Sequence, residues 1–257
     1  MSVTRRDALN IGAKSLVSAA FLNYVAKTGC GSVHVDDSLE NWKRRLREAS
    51  SALGDGDISA LQWQEEMDRI YGDTPINDLL AMVRFDDLKE SMLRQDLRGR
   101  GELFLDIEIP GVADAAGRPE PDRVLISKLA YVQKGRHIPP HGHGNMTSAF
   151  LCVSGEFDVQ LFDRLEEKDE HMVVRKTLDQ KDAARGTWSS ISDYRNNVHW
   201  LTAKSDNCFL FTCKLIRLEE HRDFRGRINI DMRDPERLGS DTWRARKISF
   251  RESSEIY

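Results

Sequence analysis

The chain contains 257 residues, of which 38 are Lys or Arg and 42 are Asp or Glu, so its formal charge is only −4. This balance provides no strongly basic surface for duplex phosphates, and we expect no nucleic-acid partner. Apolar residues make up 40% and charged residues 31%, which is typical of a globular protein. No apolar run approaches the roughly 18 residues of an integral membrane span, so none is expected.

The N-terminus has the layout of an export signal. The pair Arg5-Arg6 precedes a small, weakly apolar stretch from Ile11 to Ala26, as in twin-arginine signals. We therefore expect residues 1–35 to direct the chain to the periplasm or another extracytoplasmic site, with a cytoplasmic protein and an amphipathic first helix as the alternative. Lys27-Thr28-Gly29-Cys30 is similar to a lipoprotein cleavage box, and cleavage or lipidation at Cys30 stays open.

Residues 36–98 have the pattern of a small helical segment. Apolar residues at helical spacing predict three helices, from about Asp36 to Leu53, from Ile58 to Tyr71, and from Pro75 to Leu93. The cluster Asp36-Asp37-Ser38 supplies an N-cap for the first of them.

After Arg98-Gly99-Arg100-Gly101 the pattern changes to short strands bounded by turns. The predicted strands cover residues 103–109, 123–132, 148–152, 157–162, 172–178, 199–203 and 208–215. Because no helices intervene, residues 99–216 favour an antiparallel sandwich or barrel. The tail, residues 217–257, mixes basic and acidic side chains and is predicted to be a solvated extension that wraps around the barrel.

Three of the seven histidines form an informative arrangement. His141 and His143 are two residues apart, so on an extended strand both point to the same face. His199 opens a later strand, which an antiparallel barrel can bring beside the first pair. Three neutral imidazoles with open coordination positions suit Fe(II), Zn, Cu or Ni. His137 shares the face by alternation, but Pro139-Pro140 distort the count and we expect it at the barrel rim.

The same segment resembles the first cupin motif. Gly135, the His141-x-His143 pair and Gly155 have the motif spacing, whereas Ser148 occupies the position of a glutamate that is usually a fourth ligand. The stretch from Gly186 to His199 is similar to the second motif. The resemblance implies a mainly β fold, a cupin (double-stranded β-helix or jelly-roll) barrel, with a small helical N-terminal segment and a three-histidine metal site.

Two segments, Ile138 to Thr147 and Asn197 to Lys204, look most like the thiol dioxygenases of the cysteamine dioxygenase and plant cysteine oxidase group. This resemblance, over about residues 100–216, implies a mononuclear Fe(II), dioxygen and a small thiol that is oxidised to a sulfinate. The family's Gly-Pro-Pro-Tyr element is replaced by Lys214-Leu215-Ile216-Arg217, and a family acidic residue falls on Thr212.

Three further residues near the predicted ligands are candidates for catalytic contacts, because neighbours of metal ligands commonly hydrogen-bond the ligands or the substrate. They are Ser148, Asn145 and Tyr194.

Two other functions remain open. The site could hold zinc, whose bound water would hydrolyse an ester or lactone, or the chain could bind a small molecule or metal without turnover. A homodimer is expected only by analogy with other cupins.

Overall fold

The computed structural model describes residues 37–95, 104–109, 124–219 and 221–257. The helices in this part are α1 (Asp37–Asp55), α2 (Ala60–Gly72), α3 (Ile76–Met82), α4 (Phe85–Leu93) and α5 (Phe250–Ile256). The strands are β1 (Leu105–Glu108), β2 (Val124–Val132), β3 (His137–Gly144), β4 (Met146–Ser154), β5 (Phe157–Glu167), β6 (His171–Ala183), β7 (Trp188–Ile191), β8 (Val198–Ala203), β9 (Cys208–Ile216), β10 (Arg225–Arg237) and β11 (Thr242–Ile248). The predicted export signal and Cys30 lie outside the described residues.

The strands form two antiparallel systems that face each other. Five strands form a sheet in the order β1-β2-β9-β4-β7, and six close into a barrel in the order β10-β11-β6-β5-β8-β3. One core cluster joins Phe150 and Leu210 of the sheet with Leu161 and Leu201 of the barrel. This face-to-face packing is that of a jelly roll, so the predicted mainly β, cupin-type fold is confirmed.

A second core fills the closed barrel itself, and it decides which way the barrel strands face. It consists of Phe162, Met172, Val174, Val198, Ile228, Ile230 and Ala245. Since successive side chains of a strand point to opposite faces, Asn229 on β10 points away from this core, and Arg227 stacks on Phe104, which packs against the core between the sheets. Asn229 and Arg227 therefore face the space between the barrel and the sheet.

The C-terminal residues differ from the prediction of a solvated extension after residue 216. Strands β10 and β11 belong to the barrel, and β10 pairs with β3 so that Asn229 lies opposite His141. Ile228, Ile230 and Ala245 are buried, and the residues next to them in the sequence are polar or charged. The many charged residues of this segment obscured the alternation of apolar and polar residues that is typical of a strand. Burial of these apolar side chains stabilises β10 and β11.

The helical segment packs on the outer face of the five-stranded sheet, within one compact unit of Asp36–Tyr257. The Trp42 Nε1 donates to the Ile70 carbonyl at 2.9 Å, and its ring lies 6.1 Å from Phe211 of β9. The third predicted helix is divided into α3 and α4 because Arg84 adopts a left-handed conformation with φ of 50°. No helix in the described ranges is long and apolar enough to cross a membrane.

Candidate metal centre

The three predicted histidine ligands meet on two neighbouring strands. His141 and His143 lie on β3, and His199 on β8 is paired directly with His141. Their ligand atoms all lie within 4.8 Å of one another, little more than two metal–imidazole bonds of about 2.1 Å. The residues are 1%, 4% and 8% exposed, respectively. This geometry can enclose one metal ion.

A bulge in β3 sets this convergence. The pairing of β3 with β8 shifts between Ile138 and His141, at the two prolines, which have no backbone N–H to donate. Ile138 thereby joins the core between the sheets, while His137 points outward. The His137 Nδ1 accepts a hydrogen bond from Trp200 Nε1 at 3.1 Å, so His137 lies outside the histidine trio.

Backbone carbonyls fix the orientation of two of the imidazoles. The Nδ1 of His141 lies 2.7 Å from the Pro139 carbonyl oxygen, and the Nδ1 of His143 lies 2.9 Å from that of Gly226. Because a carbonyl only accepts, each Nδ1 carries the proton and each Nε2 keeps its lone pair. The His199 Nδ1 faces the backbone of Asn197 but is buried without a hydrogen bond of normal geometry.

The electrostatics of the trio favour metal binding. Burial lowers the pKa of His141 and His143 well below the ordinary value of 6.5. Burial, followed by the charges of Arg227 and Lys214, lowers the pKa of His199 to about 3. All three rings are therefore neutral at pH 7, which is the form that binds a metal ion. The donor set fits a divalent transition metal, with open positions for further ligands.

Ser148 lies on the site side of β4. It is 5% exposed and shares a strand face with Phe150, whose ring lies 6.4 Å from His199. In the described part of the chain, the His/Cys/Asp/Glu group that can hold a metal here consists of the three histidines and contains no carboxylate. Ser148 thus stays a candidate for contact with a ligand or substrate.

The other two candidate catalytic residues have different roles. Asn145 occupies the turn between β3 and β4 with φ of 60°, and its Nδ2 donates to the carbonyls of Glu219 and Arg222. Its Oδ1 accepts from the Glu219 amide at 2.7 Å, so the side chain is occupied in holding this loop. Tyr194 is 62% exposed and its hydroxyl donates to Glu219 at 3.3 Å. Both side chains therefore contact the loop that contains Glu219, and their catalytic roles stay a prediction.

Asn197 links the two histidine strands, a role that sequence analysis missed. Its Nδ2 donates to the carbonyls of His143, at 3.2 Å, and Ser192, at 3.0 Å. Its Oδ1 accepts from the His143 amide at 3.2 Å. The sequence signal was the Asn-x-His spacing, because Asn197 precedes the ligand His199 by two residues, which is one repeat of a strand.

Replacing Gly142 by alanine is expected to destabilise the protein by about 1–3 kcal/mol, as overpacking does. A Cβ at this position would lie 2.5 Å from the Asn197 Oδ1, so the amide that holds His143 must move. Urea unfolding at pH 7 measures the loss. In the control Gly239→Ala, the new Cβ would meet Thr242 at an ordinary 3.6 Å; equal stability of the two variants would refute the packing argument.

A buried ionic network supports the carbonyl of His143. Arg164 Nη1 donates to this oxygen at 2.8 Å and pairs with Glu167 at 3.0 Å, while its Nη2 pairs with Asp193 at 3.4 Å. Glu167 accepts two hydrogen bonds from Arg225, at 2.6 and 2.8 Å. Since β10 begins at Arg225, the network joins the strand that carries Gly226 to the strand that carries His143.

Replacing Glu167 by glutamine is expected to lower the free energy of unfolding by about 1–2 kcal/mol at pH 7, after allowance for solvent screening. Burial would raise the pKa of Glu167, but hydrogen bonds from Arg225 and Lys247 outweigh it and lower the pKa to about 2. Because the pKa of Glu167 is lower in the folded state, its ionised carboxylate stabilises the fold at pH values above the ordinary pKa of 4.5. The contribution is lost as the pH falls from that value towards the folded pKa.

Urea unfolding between pH 2 and pH 7 checks this dependence. The difference in the free energy of unfolding between wild type and Glu167→Gln should be largest at pH 7. It should disappear as the pH approaches the folded-state pKa of about 2. Glu166→Gln, whose side chain is 45% exposed, is the matched control. A Glu167→Gln effect that did not change with pH would rule out the ionic contribution.

Comparisons with known proteins give weak likenesses. No protein-family model and no curated protein matches this chain. Among solved structures, an 11S allergen from Cocos nucifera is 16% identical with a TM-score of 0.28, covering 36% of this chain and 23% of the allergen. A cupin superfamily protein from Desulfitobacterium hafniense is 14% identical with a TM-score of 0.29, covering 44% of this chain and 77% of that protein. A recombinant oxalate oxidase in complex with glycolate is 17% identical with a TM-score of 0.29, covering 47% of this chain and 54% of the oxidase chain.

This chain therefore spans less than a quarter of the coconut allergen. The strand order and the packing of the sheet on the barrel, rather than these likenesses, establish the jelly-roll fold.

Proposed function

We propose that the chain is a non-haem Fe(II) dioxygenase that oxidises a small thiol to a sulfinate. The observation that supports it best is the set of three buried, neutral imidazoles of His141, His143 and His199, whose ligand atoms lie within 4.8 Å of one another. The absence of a carboxylate from this group, within the described residues, agrees with a three-histidine rather than a four-ligand centre.

Iron bound by these residues would supply the electrons that activate dioxygen. The net reaction is RS⁻ + O₂ → RSO₂⁻, in which both oxygen atoms join the sulfur. The sulfur is oxidised by four electrons and dioxygen is reduced by four, so no external reductant is needed. The reacting thiol must be deprotonated, because the thiolate is the metal-binding form.

The residues of the chain prepare this reaction in two ways. Three neutral ligands leave the full positive charge of a bound cation uncompensated, which favours an anionic thiolate as the next ligand. The buried imidazoles, with Phe150 beside His199, keep bulk water away and strengthen that attraction. Ser148, buried on the strand face that it shares with Phe150, is the candidate for a hydrogen bond to a bound substrate.

Oxygen labelling tests the proposal. The full chain is loaded with Fe(II), supplied with ¹⁸O₂ and offered 3-mercaptopropionate, cysteine and cysteamine in turn. We expect one dioxygen consumed per sulfinate, with both label atoms in the product, and no reaction by a His141→Ala, His199→Ala double variant. No labelled sulfinate from any of these thiols would contradict the proposal, and ester hydrolysis by a zinc-loaded protein would favour the hydrolase alternative.

A further inference from the structure

We infer that the site selects a substrate carrying a carboxylate, which Arg227 and Lys214 bind beside the three histidines. The inference rests on the proposed function for the fate of the substrate's thiol. Recognition of the carboxylate itself requires only the two cationic side chains, so it is testable without the metal.

Strand β10 brings Arg227 to the site. Asn229 lies between Ile228 and Ile230, which fill the closed barrel, so it faces the opposite way. Arg227 lies where the pairing of β10 with β3 shifts, and it stacks on Phe104, which packs against the core between the sheets. Asn229 is paired with His141, and the carbonyl of Gly226 accepts from the Nδ1 of His143. Arg227 therefore lies between two positions that contact the ligands.

The Arg227 guanidinium forms no ion pair with any of the described residues, although the charge of Asp106 acts on it. The guanidinium lies over the Phe104 ring at 4.6 Å from the centroid, which fixes its plane. Its Nη1 is buried without a hydrogen-bond partner. A buried, unpaired charge is costly, and a guanidinium offers a fork that matches a carboxylate. An anionic ligand would satisfy it.

Lys214 faces the same space from the opposite sheet. It shares a strand face with Leu210 of the core between the sheets and is paired with Ser148 across β4. A glutamate at that position, as in a typical cupin motif, would be an immediate partner for the ammonium group. Serine leaves Lys214 without an ion pair among the described residues.

The charges around this space favour an anion. Burial, followed by the charge of Arg227, lowers the pKa of Lys214 to about 8, so it remains mostly protonated at pH 7. Strand pairing places both cations near the trio, because Arg227 lies two residues before Asn229, which is opposite His141, and Lys214 lies opposite Ser148. Of the nearby charges, Asp106 pairs with Lys128 at 3.2 Å. Its charge partly offsets the lowering of the pKa of Arg227 and Lys214 by burial, but it forms no ion pair with either.

The buried oxygen of Asn229 adds a further unused polar group. Its Oδ1 has no hydrogen-bond partner, and the side chain faces away from the core of the closed barrel. A substrate with a carboxylate at one end and a thiol at the other would meet the cations and the histidines together. A protonated amine such as cysteamine would be repelled by the same two cations and by a bound metal.

Calorimetric titration tests this recognition. Succinate, which carries carboxylates but no thiol, is titrated into the metal-free full chain. We expect binding to the wild type and about 10- to 100-fold weaker binding to Arg227→Met and to Lys214→Met, the loss typical of a charge-assisted contact. Arg251→Met, a change at a side chain that is 90% exposed, should bind as the wild type does.

Two further readouts complete the test. Because each methionine removes a charge that has no ion pair among the described residues, both variants should melt at or above the wild-type temperature. A folding role for these cations would instead lower the melting temperature and would overturn the inference. In anaerobic, iron-loaded protein, 3-mercaptopropionate should bind at least about 10-fold more tightly than cysteamine.

Failure of this inference is distinguishable from failure of the proposed function. Succinate binding that depends on both cations, without oxidation of any thiol, would support the carboxylate site and refute the oxidation. Thiol oxidation that proceeds equally with 3-mercaptopropionate and cysteamine, with succinate binding unaffected by either variant, would refute the carboxylate site alone.

Discussion

Replacing Asp193 by alanine is expected to lower the free energy of unfolding by about 1.5–3 kcal/mol, because it removes a buried carboxylate and its charge-assisted hydrogen bonds. The Asp193 side chain is 5% exposed and lies 3.4 Å from Arg164, whose own side chain is 10% exposed. It also lies 2.9 Å from Arg222 and accepts from the Asn145 amide at 2.8 Å. Urea unfolding at pH 7 gives the measurement.

The same variant should also loosen the metal centre. Without Asp193, Arg164 can move from the His143 carbonyl, to which it donates at 2.8 Å, and loss of such outer contacts typically weakens metal binding about 10- to 100-fold. Asp206→Ala, at a side chain that is 79% exposed, is the matched control. A variant as stable as this control would show that the network contributes nothing.

Replacing His143 by alanine is expected to weaken binding of a divalent metal by at least about 100-fold. Metal bound only to the folded state raises its stability by about 2.7 kcal/mol at a free concentration 100 times Kd. The wild type should therefore melt at a higher temperature when Fe(II) is added under anaerobic conditions. The variant should show no shift at the same concentration.

The matched control for this change is His221→Ala, because His221 is exposed and outside the trio. Its metal-induced rise in melting temperature should equal that of the wild type. In the absence of metal, His143→Ala should be no less soluble and should still unfold cooperatively, so that the lost response reports binding. An unchanged metal response in His143→Ala would exclude this residue as a ligand.

The convergence of the histidines could be predicted because it depends on local spacing and on strand order. The His141-x-His143 pair fixes two imidazoles on one strand face, and the antiparallel pattern brings His199 alongside. The prolines Pro139-Pro140 indicated that His137 leaves this face, and the shifted pairing of β3 with β8 locates the bulge between Ile138 and His141. Sequence alternation alone would have placed His137 with the ligands.

Proximity in sequence does not give the contacts of the other site residues. Asn145 follows the ligands by two positions, yet a left-handed turn directs its amide to the loop that contains Glu219. Arg227 and Lys214 are far from the motifs along the chain. Arg227 reaches the site because β10 pairs with β3, whereas Lys214 lies opposite Ser148. These long-range pairings were not predictable from a run of charged residues.

Metal content tests the central claim most directly. The full chain, purified without added metal chelators, is analysed for iron, zinc, copper and nickel beside the His141→Ala, His199→Ala double variant. We predict about one iron per wild-type chain and none in the variant, as expected of a single three-imidazole centre. Equal metal in both proteins, or metal in neither, would contradict a centre formed by these histidines.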